Sequence, residues 1–316
     1  MRNELTNTRR AVIEALLERA EKDDAVVLVC ADSIKSMKAD DFAQRYPQRF
    51  FDVGIAEQNA VAIAAGLASS GLKPYVATYA GFLTMRACEQ IRTFVAYPQL
   101  NVKIVGANGG IYGGEREGVT HQFFEDLGIM RSIPEMMVVS PADALEVYEA
   151  TKALLDFEGP AYLRVGSGRE KRIFDQIDHF QLSKPRAIYQ TGYDAVIFAT
   201  GPITKRALQA AEKLKQAKIF ITVVNVPTLK PIDKEEIAYF LKNSQLIITL
   251  EDHNIIGGLG SAIAEVSTET IPKKIIRMGL QDIFPESGEA EALLDKYGMS
   301  IDDIIKTVRN GLSKLV

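Results

Sequence analysis

Little in this sequence speaks for disulfides, metals, membranes or nucleic acid. Two cysteines and three histidines occur in 316 residues. Cys30 lies in the apolar run AVVLVCA and Cys88 in a helical pattern. Two buried-looking thiols exclude a disulfide framework and point to a reducing compartment. His121, His179 and His253 are far apart, and no Cys or His spacing fits zinc, so no metal held by this chain alone is expected. The longest apolar runs, such as 25–31, have the length of a strand and fall far short of a bilayer-spanning helix. The segment MRNELTNTRRAVIEALLERAEKD mixes acids with bases and lacks a signal-peptide core, so a cytoplasmic location is expected. The net charge is −4 and the basic residues are scattered, which excludes the electrostatic footprint of a nucleic-acid binder. What remains is an ordinary globular composition, 47% hydrophobic and 25% charged. Its length suits two domains.

The pattern along the chain alternates short apolar runs with helical periodicity. Strands are predicted over 24–32, 49–54, 73–80, 101–108, 135–141 and 161–167. Helices are predicted over 8–22, 56–70, 82–96, 121–130 and 142–157. Asn7 or Thr8 is the expected cap of the first helix, with Ala11, Val12, Ala15 and Leu16 on one side. The run DAVVLVCAD is apolar throughout, as a strand buried on both faces should be. A second unit carries the strands DAVIFATG, KIFITVVNV, QLIITLEDH and IPKKIIRMG, with helices over 203–217, 233–242 and 257–268. Strand–helix alternation of this kind implies mainly parallel sheets covered by helices. The polar stretch 169–187 reads as the linker, with the boundary near 185.

Ligands of open parallel sheets sit beyond the carboxyl ends of the strands. Polar residues stand at those places at 32–36, 54–59, 79–82, 108–122 and 164–169. Glu57 opens a helix of small apolar residues, AVAIAAGLA, which is expected to be buried all round. A carboxylate there either completes the helix dipole or has a perturbed, functional pKa. The loop 106–122 holds six glycines, two acids, one Arg and His121. Glycine at that density allows close backbone approach to a ligand, and loops of that length are seldom structureless without a function. His121 is a candidate proton shuttle, phosphate donor or helix-cap partner. GGLGSAIAE (257–265) superficially suits a dinucleotide. It lacks the third glycine and follows a third strand, so close helix–sheet packing is the expectation.

The stretches ADSIKS, RFFDVGIAEQN, AAGLASSGLKPYVATYAGFLTMRACEQIR, EGVTHQ, DLGIMRSIPEMMVVSPAD and GPAYLRV follow one another in that order. In this arrangement the chain resembles, throughout its length, the C-terminal half of transketolases, including the split form made of two polypeptides. FDVGIAEQN together with GLKPY and THQ is a specific combination. The same region is similar to 1-deoxyxylulose-5-phosphate synthases and, more distantly, to the β subunits of 2-oxo acid dehydrogenases. The resemblance implies an α/β fold of two parallel-sheet domains. A thiamine-diphosphate pyrimidine-binding domain would span 1–184 and a transketolase C-terminal domain 185–316.

The resemblance also implies residue roles. Glu57 would hydrogen-bond N1′ of the cofactor's aminopyrimidine. A carboxyl in an apolar pocket resists ionisation, so a proton shared with a ring nitrogen is favoured. That contact promotes loss of the thiazolium C2 proton and attack on a ketose carbonyl. Phe82 falls where the family stacks an aromatic ring on the pyrimidine, and Met85 replaces a second aromatic with a softer wall. Arg86 matches an arginine of the deoxyxylulose synthases, and Ile55 falls beside the pyrimidine pocket. Asp32 and Ser36 match positions near the thiazolium and the substrate phosphate. Counted back from His121, Glu117 takes the place of an acid that holds donor sugar hydroxyls. The loop reads G-E-R-E-G-V-T-H-Q where the family has G-E-D-G-x-T-H-Q, which leaves Arg116 without a counterpart. Asn108 or Gly109 stands where many transketolases bind substrate with histidine. Arg164 or Arg169 would contact the substrate phosphate.

The family's G-D-G motif, which with a downstream Asn holds the diphosphate through a divalent metal, occurs nowhere in this chain. The implied partner is an N-terminal transketolase subunit that carries G-D-G and holds Mg2+ or Ca2+. An α2β2 assembly is expected, with self-association of this chain or its partner. The expected activity is transfer of a two-carbon ketol unit between sugar phosphates. The alternatives are a deoxyxylulose-phosphate-synthase-like or specialised ketol transferase and a non-catalytic assembly subunit. A nicotinamide dehydrogenase is the outsider, since the first-strand glycine fingerprint is missing.

Overall fold

The apolar runs become the strands of two open sheets in a computed structural model, which describes residues 5–114, 117–177 and 179–315. The first sheet contains β1 (Val26–Cys30), β2 (Phe50–Asp52), β3 (Lys73–Tyr79), β4 (Lys103–Ala107), β5 (Met137–Val139) and β6 (Ala161–Arg164). All of these run parallel. Leu28 lies opposite Tyr75 and Ile104 opposite Tyr162. Every residue of β1 is buried, as its unbroken apolar run requires. The second sheet contains β7 (Arg186–Gln190), β8 (Ala195–Thr200), β9 (Ile221–Asn225), β11 (Leu246–Asn254) and β12 (Ile275–Leu280), in the order β12-β11-β8-β9-β7. β10 (Thr228–Lys230) leaves this half of the chain and joins the first sheet antiparallel to β5. Each parallel sheet therefore has one antiparallel edge strand, β10 in the first and β7 in the second. Among the described residues no helix is long and apolar enough to cross a membrane.

The helices begin where their caps dictate. The side chain of Asn7 accepts from Arg10 N at 2.9 Å and starts the helix Thr8–Ala20. Its Ala11, Val12, Ala15 and Leu16 are buried. The side chain of Asp143 accepts from Glu146 N and starts Ala144–Asp156. The helix Leu259–Glu269 is preceded by the glycines of GGLGSAIAE, and the Glu251 carboxylate accepts from its Leu259 N (2.6 Å) and Gly260 N (2.8 Å). A Cβ on Gly258 would lie 2.0 Å from Glu251 Oε2. A protein carboxylate thus occupies the place a dinucleotide phosphate would take, and the packing expectation holds.

Three expectations are corrected. The segment 82–96 is not one α-helix: Phe82–Arg86 and Ile91–Ala96 are wound as π-turns on either side of Cys88–Gln90. Ala87 N bonds Phe82 O and Tyr97 N bonds Arg92 O, each five residues back. Helical structure expected from 121 starts only at Asp126, because Gly110 N and Asn254 N take up the carbonyls of Phe123 and Phe124. The helix Glu57–Ser69 buries Glu57, Ala60, Val61, Ala64 and Ala65, while Gln58, Asn59 and Gly66 are exposed. It is buried on one face, not all round.

The stretch 169–187, read as the linker, is tied down by contacts with the first domain. Glu170 is buried and accepts from Thr8 Oγ1 (2.9 Å) and Gly168 N (2.9 Å), while Asp143 accepts from Ile173 N and Phe174 N. Arg186 already belongs to β7 and pairs with the fully buried Glu146 at 2.9 Å. Asn225 of β9 donates to the same carboxylate at 2.7 Å.

Glu251 and His253, both fully buried, lie 3.8 Å apart. Burial pushes Glu251 up to about 7 from 4.5 and His253 down to about 4 from 6.5. Between the unfolded and folded values of Glu251 the folded state binds the extra proton, so this group makes stability fall as pH rises. For His253 the unfolded state binds the extra proton, so stability rises with pH. Between pH 4.5 and 6.5 the two oppose each other. Glu251→Gln should leave the His253 slope unopposed, approaching about 1.4 kcal/mol per pH unit at most. Denaturation of both proteins across that window checks this; parallel pH curves would refute it.

Candidate active site

The carboxyl edge of the first sheet brings separate sequence segments together. Glu57 starts its helix with only 2% of its surface exposed. Arg86, from the first π-turn, meets it with Nη1 2.7 Å from Glu57 Oε2. The same guanidinium lies 4.4 Å over the ring of Phe82, within cation–π range. Gln58 Nε2 donates to Arg86 O at 3.1 Å and ties the turn to the helix. Phe82 is enclosed edge-on by Tyr79 (5.7 Å between centroids), His121 (5.4 Å) and Phe123 (5.4 Å). His121 also meets Tyr79 at 5.3 Å, and its Nδ1 is 3.0 Å from Thr120 Oγ1. Gly81 makes this box possible, since a Cβ there would fall 1.9 Å from Phe123 Cδ1. The site thus offers a buried carboxylate, a cation against it and an aromatic face beside both.

The remaining predicted residues are placed around this centre. Ile55 (74% exposed) and Met85 (45%) lie open beside it rather than walling an enclosed pocket within this chain. Phe94 and Tyr97, on and just past the second π-turn, are exposed as well. Asp32 is exposed, has a left-handed backbone (φ 51°) and donates its N–H to Asp52 Oδ1 at 2.9 Å. Ser36 Oγ donates to Ser33 O at 3.0 Å, and the Ser36 carbonyl accepts from Arg9 Nη1 at 3.0 Å. Glu117 is exposed in the loop, and Arg116 lies outside the described residues. Among the described residues no group of three or more His, Cys, Asp or Glu is placed to hold a metal ion.

Two arginines change standing. Arg164 is 4% exposed. Its Nε pairs with Asp126 Oδ2 at 3.1 Å, and its Nη2 donates to Phe123 O and Asp252 O. A guanidinium so committed is a structural tie, which corrects its place among the phosphate candidates and leaves the exposed Arg169. Arg9 was not anticipated. Its Nε donates to Gly166 O at 3.1 Å and its Nη2 bonds Asn108 Oδ1. Burial lowers its pKa, and Tyr79, Glu170, Arg169 and Glu117 are the charges that act on it. A signal was present in the sequence: Arg9 and Arg10 stand in the first turn of a helix with no acid there, where the dipole disfavours cations.

Residues 5–168 match the family described as Transketolase, pyrimidine binding domain, and residues 186–304 match Transketolase, C-terminal domain. The chain belongs to the transketolase family. It is 38% identical over 309 residues to a putative transketolase C-terminal section from Methanocaldococcus jannaschii, covering 97% of this chain and 96% of that one. It is also 38% identical over 298 residues to a 6-deoxy-6-sulfo-D-fructose transketolase subunit from Clostridium sp., covering 94% and 92%. A split-gene transketolase solved as an inactive β4 tetramer superposes with a TM-score of 0.87 at 38% identity, over 97% of this chain and 98% of that one. These transketolase domains imply dependence on thiamine diphosphate. The residues present fit its aminopyrimidine end, with a buried carboxylate for a ring nitrogen and the Phe82 face for the ring.

Gly81→Ala should break the aromatic box, because Phe123 must move to admit the methyl group. Overpacking of this kind costs about 1–3 kcal/mol. Urea denaturation of the variant measures the loss; an unchanged midpoint would mean that the ring moves aside freely.

Proposed function

We propose that this chain is the C-terminal subunit of a two-polypeptide transketolase, active with an N-terminal subunit and transferring a two-carbon ketol unit between sugar phosphates. The observation that carries this reading is the buried Glu57 carboxylate held against Arg86 beside the Phe82 face. When bound, thiamine diphosphate supplies a nucleophilic carbon and an electron sink for ketol transfer. Glu57 holds a proton toward ring atom N1′. Arg86, 2.7 Å from Glu57 Oε2, fixes the orientation of that side chain. Phe82 presents its face to the pyrimidine, with Met85 and Ile55 at the open side and Asp32 toward the thiazolium. Ser36, Glu117, His121 and Arg169 face the sugar phosphate, and Arg9 fixes the backbone around them. The domain division at 184/185 is kept in this reading.

The N-terminal subunit would bring G-D-G, the Mg2+ or Ca2+ and the diphosphate contacts, in an α2β2 assembly in the cytoplasm. Exposed Ile55, Met85, Phe94 and Tyr97 on neighbouring segments support a docking face there. A second reading, a specialised ketol transferase, is favoured by the likeness to the sulfofructose transketolase subunit and by the altered loop at Glu117. It differs in donor sugar and keeps the same cofactor chemistry.

Two measurements test this reading. Glu57→Gln keeps the side-chain shape but cannot pass a proton to N1′. In the assembled complex, activity and hydrogen–deuterium exchange at cofactor C2 should fall together by roughly 10²–10⁴-fold; near-normal exchange would reduce Glu57 to a structural role. The isolated chain should show negligible affinity for thiamine diphosphate and Mg2+ by calorimetry, because the charge-assisted diphosphate contacts come from the partner. Micromolar binding to the lone chain would overturn the two-subunit site.

A further inference from the structure

In an open parallel sheet the carboxyl ends of the strands are the ligand-binding edge. In the second sheet that edge is taken by the first domain's own loop. Asp252, near the end of β11, is 2% exposed, and its carboxylate accepts from Ile111 N (2.9 Å) and Tyr112 N (3.0 Å). Both bonds cross between domains. Gly110, with φ +76°, lies so close that a Cβ on it would be 2.2 Å from Asp252 Oδ2.

Further along the loop the same domain supplies more holds. Tyr112 Oη donates to Glu291 Oε1 at 3.0 Å, and a Cβ on Gly118 would be 2.3 Å from Ser287 Oγ. Gln122 Nε2 donates to Glu286 O at 3.1 Å, and Phe124 O accepts from Asn254 N at 2.8 Å. Phe284 meets the Phe124 ring edge-on at 5.9 Å. The other side of the loop carries His121 and Phe123 into the aromatic box. Displacing the loop would strip a buried carboxylate of both donors, which is costly, so the second domain holds the loop at its described residues on either side of 115–116.

We propose that Asp252 is the positioning residue of the substrate loop: the second domain serves as its template, and Glu117 and His121 meet the donor sugar already ordered. This rests on the reading of Glu117 and His121 as donor contacts. A loop ordered in advance avoids the cost of ordering on binding and holds reacting groups in place. The carboxyl edge that open sheets give to ligands here binds a segment of the same chain.

The test uses Asp252→Asn, which keeps the shape but offers only one acceptor oxygen to the two donors. Amide hydrogen exchange on the full chain should quicken at least tenfold over 108–114 and 117–124 while β11 and residues 259–269 keep their protection. In the assembled complex, with fructose 6-phosphate as donor and ribose 5-phosphate as acceptor, KM for the donor should rise roughly tenfold, the loss expected for one charged hydrogen bond. There kcat should change less than threefold and thiamine diphosphate affinity less than twofold. Combined with Glu117→Ala, Asp252→Asn should add little, since both act through one contact. Unchanged loop exchange and an unchanged donor KM would overturn the proposal.

Tyr112→Phe, which removes only the bond to Glu291, should shift both readouts in the same direction by less. It decides the matter if Asp252→Asn does not fold, an unshifted result again overturning the proposal. If Glu117→Ala and His121→Ala leave donor kinetics untouched, the donor reading fails and Asp252 is an anchor without a positioning role. If they raise KM and Asp252→Asn does not, the template alone fails.

Discussion

One buried guanidinium, that of Arg164, joins everything at the carboxyl edge of the first sheet. It extends from the end of β6, pairs with Asp126, and donates to the carbonyls of Phe123 and Asp252. Three otherwise separate parts meet there: the helix Asp126–Ser132, the exit of the 106–122 loop and β11. Its positive charge also acts on the buried carboxyls of Glu251 and Asp252. Several acids packed so deeply are tolerable only with a cation among them, because an unpaired buried charge costs several kcal/mol. An arginine suits this place better than a lysine, since its planar fork reaches several acceptors at once.

With that tie in place, the chemistry rests on short-range order around Phe82. The π-turn at 82–86 brings Arg86 back over the ring of Phe82 and onto Glu57. Such wide turns recur at functional sites because they re-aim side chains at the expense of regular hydrogen bonding. Tyr79, His121 and Phe123 pack against the ring edge-on, and Ile55 and Met85 on the flanking segments are exposed. A half-built site of this form suits a cofactor shared between two chains. Preorganised groups on one surface then lose little freedom when the second surface arrives.

Much of the architecture was legible in sequence because strand and helix periods report burial directly. β1, β3, β4, β8 and β9 all lie within runs read as apolar strands, and β11 exceeds its run by one residue. Asn7 or Thr8 was foreseen as the cap, because a short polar side chain there satisfies free N–H groups, and Asn7 is the one that caps. β10 escaped notice, since three residues pairing across a domain seam carry no periodicity. The π-turns escaped because their hydrogen-bond shift leaves the apolar pattern helix-like. Arg164 and Arg169 could not be told apart in sequence; only enclosure by Asp126, Phe123 and Asp252 distinguishes them.

By itself the sequence determined the fold class, the family resemblance and the identity of the residues around Glu57, Phe82 and His121. Those are encoded in local period, glycine placement and ordered motifs. Tertiary structure alone decided which of these residues touch. It set Arg86 on Glu57, buried Arg164, drew Arg9 to Ser36 and Asn108, and seated Ile111 and Tyr112 on Asp252. Contacts between residues as far as 179 positions apart depend on how two sheets dock. A linear pattern holds no record of that geometry, because burial and charge compensation arise only once both surfaces have met.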